Sequence, residues 1–320
     1  CLAALVLVPL LAAAPARADD LAALSREFES WTGAALVFDR AELPTGRWFE
    51  QMPALAAKDR ERAARILVAE ARHYPKGWLA TIGLRSVGVF AGLASDRGDG
   101  FRPWDDELGG YRYFGLWNGT DAVAAAYYTD GQLPLTFHHE VFHHVDGAGG
   151  FDRDDAAFAS AVAGDTRYPG LTISAADRTA LARRGGATLD DAVGDYAAKS
   201  AGEDQAETAR WLHAHLAPAV LQAATEPALP GSQRILHVMA EYAAAGGPDA
   251  AWWVDLALGR DPGARQGLAA AAATEEAALR ARIAPDGRWM VWGREQAGGG
   301  NPTLREDIAR FGAAARGLAI

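Results

Sequence analysis

The spacing of apolar and polar positions divides the chain into strands followed by helices. Residues 56–73, AAKDRERAARILVAEARH, place Ala63, Ile66, Leu67 and Ala71 on one face of a predicted amphipathic helix. Tyr74-Pro75 ends it, because the residue before a proline avoids helical torsions. Within WLATIGLRSVGVFAGL (78–93), the alternation at 82–90 predicts a strand, and 95–110 reads as loop. YRYFGLWNG (111–119) and DAVAAAYYT (121–129) predict two strands joined by the Asn118-Gly119-Thr120 turn. Pro134 is pre-set for a helix start, and the pattern runs to 146, stopping at the glycines of 147–150. Residues 150–188 read as polar turns, and a helix is expected from about Gly202 to Leu216. AATEPALPGS (223–232) is the best candidate boundary. Beyond it, helices are expected at 233–245, 248–258, 264–284 and 302–314, with a strand-like 287–293. This order predicts an α+β chain. One domain covers 19–222, and a mainly helical region, 223–320, is either separate or packed on the first.

The start of the chain changes the expected compartment. LAALVLVPLLAAA (2–14) is uncharged and apolar, and Ala16 and Ala18 stand where a signal peptidase would read them. A secretory signal over 1–18, lacking its basic leading segment, is expected to be cleaved after Ala18. Cys1 precedes the apolar run, whereas a lipid-bearing cysteine follows one. The mature chain then has no cysteine, so any metal must be held by histidine, carboxylate or water. The run is too short to span a bilayer, and no other segment is apolar enough. A periplasmic or extracellular protein without a membrane span is expected. Among 320 residues the formal net charge is −10, which argues against a nucleic-acid partner that would need a basic surface.

Four of the eight histidines fall at 138, 139, 143 and 144. His139-Glu140-Val141-Phe142-His143 is H-E-x-x-H. On a helix, positions i and i+4 share a face, so the two imidazoles project together and can bind one Zn²⁺. Glu140 flanks that ion and can take a proton from water beside it, as general base in attack on a carbonyl. His138 and His144 point to other faces and read as packing residues or supports of the ligands.

Catalytic zinc keeps three protein ligands and one open position. A histidine six residues beyond His143 would supply the third, but position 149 is glycine. Gly119-Thr120-Asp121 lies upstream and reads as turn, while His213 and His215 look like a helix end. The remaining source is the helix in DYAAKSAGEDQAETARWL (195–212). Glu203 and Glu207 face one way there, with Ala206 leaving room for a close helix, and Asp204 is turned about 100° away. Either glutamate could serve. Their ordinary roles, at a helix start and in a surface pair with Arg210, are the alternative.

HHEVFHHVD (138–146) followed by Tyr196-x6-Glu203-Asp204-Gln205-Ala206-Glu207 resembles the gluzincin metallopeptidases of the anthrax lethal factor type and their secreted bacterial relatives. The resemblance implies a zincin-like catalytic domain, a mixed sheet with the H-E-x-x-H active-site helix. It implies one zinc per chain held by His139, His143 and Glu203, with Glu140 as general base. By the same resemblance Tyr196, seven residues before Glu203, donates to the oxyanion. Glu207 and Asp146, the latter three residues after His143, would support the ligands. Phe142 stands where many relatives carry glycine, so its packing partner must differ. Residues 233–320 carry no such resemblance.

A secreted zinc-dependent peptide hydrolase acting on a peptide or protein is therefore expected, with substrate added as a strand along 122–129. The competing expectation is a metal-holding periplasmic binding protein without catalysis. SDRGDG (95–100) and FDRDDA (151–156) do not fit a twelve-residue calcium loop and read as solvated acidic loops.

Overall fold

A computed structural model describes residues 18–43, 53–91, 112–117, 122–127, 132–146, 171–184, 197 and 200–260. The expected elements at 264–284, 287–293 and 302–314, and the 118–120 turn, lie outside the described residues.

Helix α1 (Ala18–Thr32) leads into strand β1 (Ala35–Val37). Leu21, Leu24, Phe28 and Trp31 pack on the core at helical spacing. Gly33 closes the helix with φ +76°, its N–H bonded to Glu29 O at 2.8 Å. A β-carbon there would meet Ala80 Cβ at 2.8 Å, so glycine is required for contact as well as for torsion. Helix α2 (Ala57–Ala71) then crosses to β2 (Ser86–Phe90) through the single turn α3 (Trp78–Thr81).

β2 runs parallel to β1 and antiparallel to β3 (Arg112–Trp117), which pairs antiparallel with β4 (Ala122–Tyr127). The four form one mixed sheet in the order β1-β2-β3-β4, which leaves β4 at an edge among the described residues. All five residues of β2 are buried, as suits a central strand covered on both faces.

Helix α4 (Gln132–Asp146) begins two residues before the expected Pro134. A proline in the first turn breaks no helical hydrogen bond, since those N–H groups have no partner within the helix. Every residue from 133 to 144 is buried. A helix buried on all sides needs an apolar or hydrogen-bonded surface all round, and LPLTFHHEVFHH provides one. It lies against β3, β4, α2 and two of the helices that follow, those of 201–214 and 230–244.

Helix α5 (Ala175–Arg184) falls where polar turns were expected. Helix α6 (Ala201–Ala214) is followed at once by α7 (Leu216–Thr225), then α8 (Pro230–Ala244) and α9 (Ala250–Ala257). The candidate boundary at 223–232 is a tight connection between α7 and α8, which pack on each other. Helix α8 also touches α4 and α6. Phe142 finds its partner there, edge-on to Tyr242 at 5.4 Å between ring centroids. Tyr242 and Trp253 join Phe28, Tyr74 and Phe137 in one core. No helix among the described residues is long and apolar enough to cross a membrane.

Candidate metal centre

Helices α4 and α6 pack closely along each other, and the candidate centre lies between them. The one-turn spacing of α4 aims His139 and His143 the same way, with Nε2 atoms 3.2 Å apart and rings at 78°. Glu203 comes from the first turn of α6. Ser200 caps that helix by accepting from Glu203 N at 3.2 Å, which fixes where the turn begins. Glu203 Oε2 lies 3.1 Å from His139 Nε2 and 3.6 Å from His143 Nε2.

These three atoms form a nearly equilateral triangle. Ligands bound tetrahedrally at about 2.0–2.1 Å from zinc stand about 3.3–3.4 Å from one another. The measured edges bracket that value. Two imidazoles and a carboxylate without thiolate suit zinc in a site with an open fourth position. The donor set and its convergence therefore fit the ion that the motif implies.

Glu207, one turn beyond Glu203, brings Oε1 to 2.8 Å from His139 Nδ1, the nitrogen turned away from the triangle. Arg210 Nη1 donates to Glu207 Oε2 at 2.9 Å. Arg210, Glu207 and His139 thus form a chain that fixes the imidazole's orientation, as carboxylates commonly do behind a metal-bound histidine. Asp204 points elsewhere, accepting from Arg234 Nε at 3.1 Å. Its neighbours 203 and 207 make the contacts to the histidines, as helical periodicity requires.

The electrostatics follow from burial and from this pairing. Burial alone would push the His139 imidazole down, but the Glu203 and Glu207 carboxylates carry it up to about 10. Burial would likewise raise Glu203, yet His139 and His143 hold it well below the usual carboxylate range. Glu207 is lowered against its burial by Arg210 and His139. Without metal, the site therefore keeps a proton on His139, which an incoming cation must displace. Burial raises Glu140, and the two histidines beside it only partly offset that.

Asp146 is the last residue of α4, half-buried, one turn beyond His143. Tyr196 lies outside the described residues. His144 is buried and pushed down to about 4 by burial and then by His143. His138 is turned about 100° from His139 around α4, toward α2, where it meets Glu70 and Tyr74.

Two groups among the described residues bring three donor atoms within reach of one ion: His139, His143 and Glu203, and separately His73, His138 and His213. The second group was not anticipated from sequence. Its signal was Glu70, a charged residue three positions after Leu67 on the apolar face of α2.

No protein-family model, no curated protein and no solved structure matches this chain.

Proposed function

We propose that this chain is a secreted zinc-dependent peptide hydrolase. The observation that carries the reading is the convergence of His139, His143 and Glu203 on one point, with Glu140 beside it. Zinc held there would supply a Lewis acid that polarises a carbonyl and brings the pKa of a water down to about 7.

The chain's own groups do the rest. Glu207 and Arg210 keep His139 oriented. Glu140 takes the proton of the attacking water and gives it to the leaving amine. A carboxyl raised by burial suits this exchange near neutral pH. The Tyr196 phenol donates to the carbonyl oxygen as negative charge gathers on it. Substrate lies as an added strand along β4, which edges the described sheet and packs on α4. A zincin-like catalytic domain and a place in the periplasm or outside the cell belong to the same proposal. The latter rests on the apolar run at 2–14 and the alanines at 16 and 18.

The burial of Glu140, only 6% exposed, favours a second reading, a metal-holding binding protein that hydrolyses nothing. The deciding experiment is metal analysis of the purified chain with cleavage of a random peptide library before and after chelation. One zinc per chain and chelator-sensitive cleavage are expected. Glu140→Gln should retain zinc and lose about 10²- to 10⁴-fold in turnover, because only the proton acceptor is removed. Cleavage undiminished in Glu140→Gln would end the hydrolytic mechanism. Zinc binding without cleavage of any peptide would establish the second reading.

A further inference from the structure

Where α2, α4 and α6 meet, Glu70, His73, Tyr74, His138 and His213 form a second cluster whose members are at most 1% exposed. Three imidazoles within ligand reach suggest another metal, but their geometry does not allow one. The His138 and His213 rings stack face to face, 3.7 Å between centroids and 3° between planes. A metal lies in the plane of each imidazole that binds it, so two parallel stacked rings cannot share an ion. His73 Nδ1 and His213 Nδ1 are 2.8 Å apart, a hydrogen-bond distance and shorter than the edge of a tetrahedral zinc site, about 3.3 Å.

Hydrogen bonds account for the cluster instead. His138 uses both nitrogens: Nδ1 is 2.9 Å from Tyr74 Oη, and Nε2 is 2.9 Å from Glu70 Oε2. With Nε2 donating to the carboxyl, Nδ1 accepts from the phenol. Tyr74 Oη is also 3.5 Å from Tyr242 Oη on α8. The His73–His213 contact needs one proton between its two nitrogens. Glu70, His138, Tyr74 and Tyr242 thus join α2 and the turn after it to α4 and α8, and His73–His213 joins the same turn to α6; the two sets meet where His73 Nε2 lies 3.5 Å from Glu70 Oε2 and where the His138 and His213 rings stack.

We infer that Glu70, His73, Tyr74, His138 and His213 are positioning residues: a metal-free hydrogen-bonded lock that sets α4 against α6 and so holds Glu203 at ligand distance from His139 and His143. This rests on the zinc reading of the first site. His138 immediately precedes His139 in sequence, so anchoring its ring fixes the rotation of α4 about its own axis. His213 lies ten residues beyond Glu203 on α6, about 15 Å along the axis. The helix is braced at both ends, and loosening the far end lets the Glu203 end swing. Apolar contacts alone would tolerate small slips, whereas directional bonds specify one register. Burial pushes His213 well below the ordinary histidine value and Glu70 up to about 8.

The test uses the full chain and three readings: zinc per chain, zinc affinity by competition with a chelator, and thermal unfolding of the metal-free protein. Wild type should bind one zinc. Glu70→Gln keeps an acceptor and a donor at the same place, so it should bind zinc within about threefold of wild type. Glu70→Leu and His213→Phe should weaken zinc by about ten- to a hundredfold, the usual cost of disturbing a ligand's support. That loss should persist in folded samples. Where these variants do not fold, Tyr74→Phe removes one hydrogen bond without changing volume and should weaken zinc about fivefold.

A folded Glu70→Leu or Tyr74→Phe that binds zinc as wild type does would overturn the lock and leave the zinc site standing. Two zinc ions in wild type, one of them lost in His213→Phe, would also overturn it, by making the cluster a metal site. A wild type without zinc would remove the zinc reading and this inference together.

Discussion

The two histidine clusters on α4 are built from the same parts and behave oppositely. His139 and His143 meet with their rings nearly perpendicular and their Nε2 atoms 3.2 Å apart beside Glu203. His138, one residue earlier, lies parallel to His213 and spends both nitrogens on hydrogen bonds. The ratio of acid to base differs too. Glu203 and Glu207 flank His139 and raise it, while in the other cluster a single Glu70 lies 2.9 Å from His138 and 3.5 Å from His73, and burial lowers His138 and His213. On the proposed reading, ring orientation and the number of carboxylates, rather than the proximity of histidine and glutamate alone, set the two clusters apart.

The sharpest way to break this contrast is at Glu203. Glu203→Ala removes one corner of the triangle, so zinc and hydrolysis should disappear together, measured by metal content and peptide cleavage. Retention of both would mean that the third ligand lies elsewhere. Glu207→Ala should be milder, costing about ten- to a hundredfold in zinc affinity or activity. If its effect equals that of Glu203→Ala, Glu207 is itself a ligand.

Stability against pH separates the clusters without any metal. Glu70 is held near 8, above its ordinary 4.5, so its contribution is complete below pH 4.5 and is lost as pH rises through about 8. His139, held up to about 10, adds a loss on the alkaline side between 6.5 and 10. His213 is lowered, so the folded state resists a proton that the unfolded chain accepts, and stability falls as pH drops below 6.5. Denaturant unfolding of the metal-free chain should show both arms, each group contributing at most about 1.4 kcal/mol per pH unit. Glu70→Gln should flatten the alkaline arm up to about pH 8 and leave the acid arm alone. An alkaline arm unchanged in Glu70→Gln would show that Glu70 is not its source.

The smallest effect is expected at Asp204, which pairs with Arg234 away from the candidate ligands. Asp204→Ala should leave zinc affinity untouched and cost about 1 kcal/mol of stability or less. A loss of zinc there would contradict the orientation of α6.

What could be read from sequence was what local periodicity encodes. His139 and His143 are one turn apart, and Glu203 and Glu207 repeat that spacing on α6, so each pair could be put on a common face without a structure. Helix α2 follows the same rule, and β3 and β4 are marked by the turn residues between them, whereas β2 takes only 86–90 of the expected 82–90 and is buried along its whole length. The lock could not be read this way, because Glu70 and His138 are 68 residues apart and His73 and His213 are 140 apart. Their pairing depends on how whole helices cross. Helix α7 was missed for another reason: Pro218 suggests a break, yet it lies in the first turn, where no helical N–H is needed. In α1, Leu21, Leu24, Phe28 and Trp31 carry the same helical spacing, directly after the expected cleavage point at Ala18.

The unequal burial of the three candidate ligands also has a consequence in time. From 133 to 144, α4 is enclosed on every side, so its amides should exchange with solvent only when the whole core opens. His139 and His143 are tied to that slow clock. Glu203 is not: its side chain is 18% exposed and stands in the first turn of α6, where helices fray most readily. An ion would thus come and go through the motion of one carboxylate, and its residence time would be set by the Ser200 cap rather than by the stability of the fold.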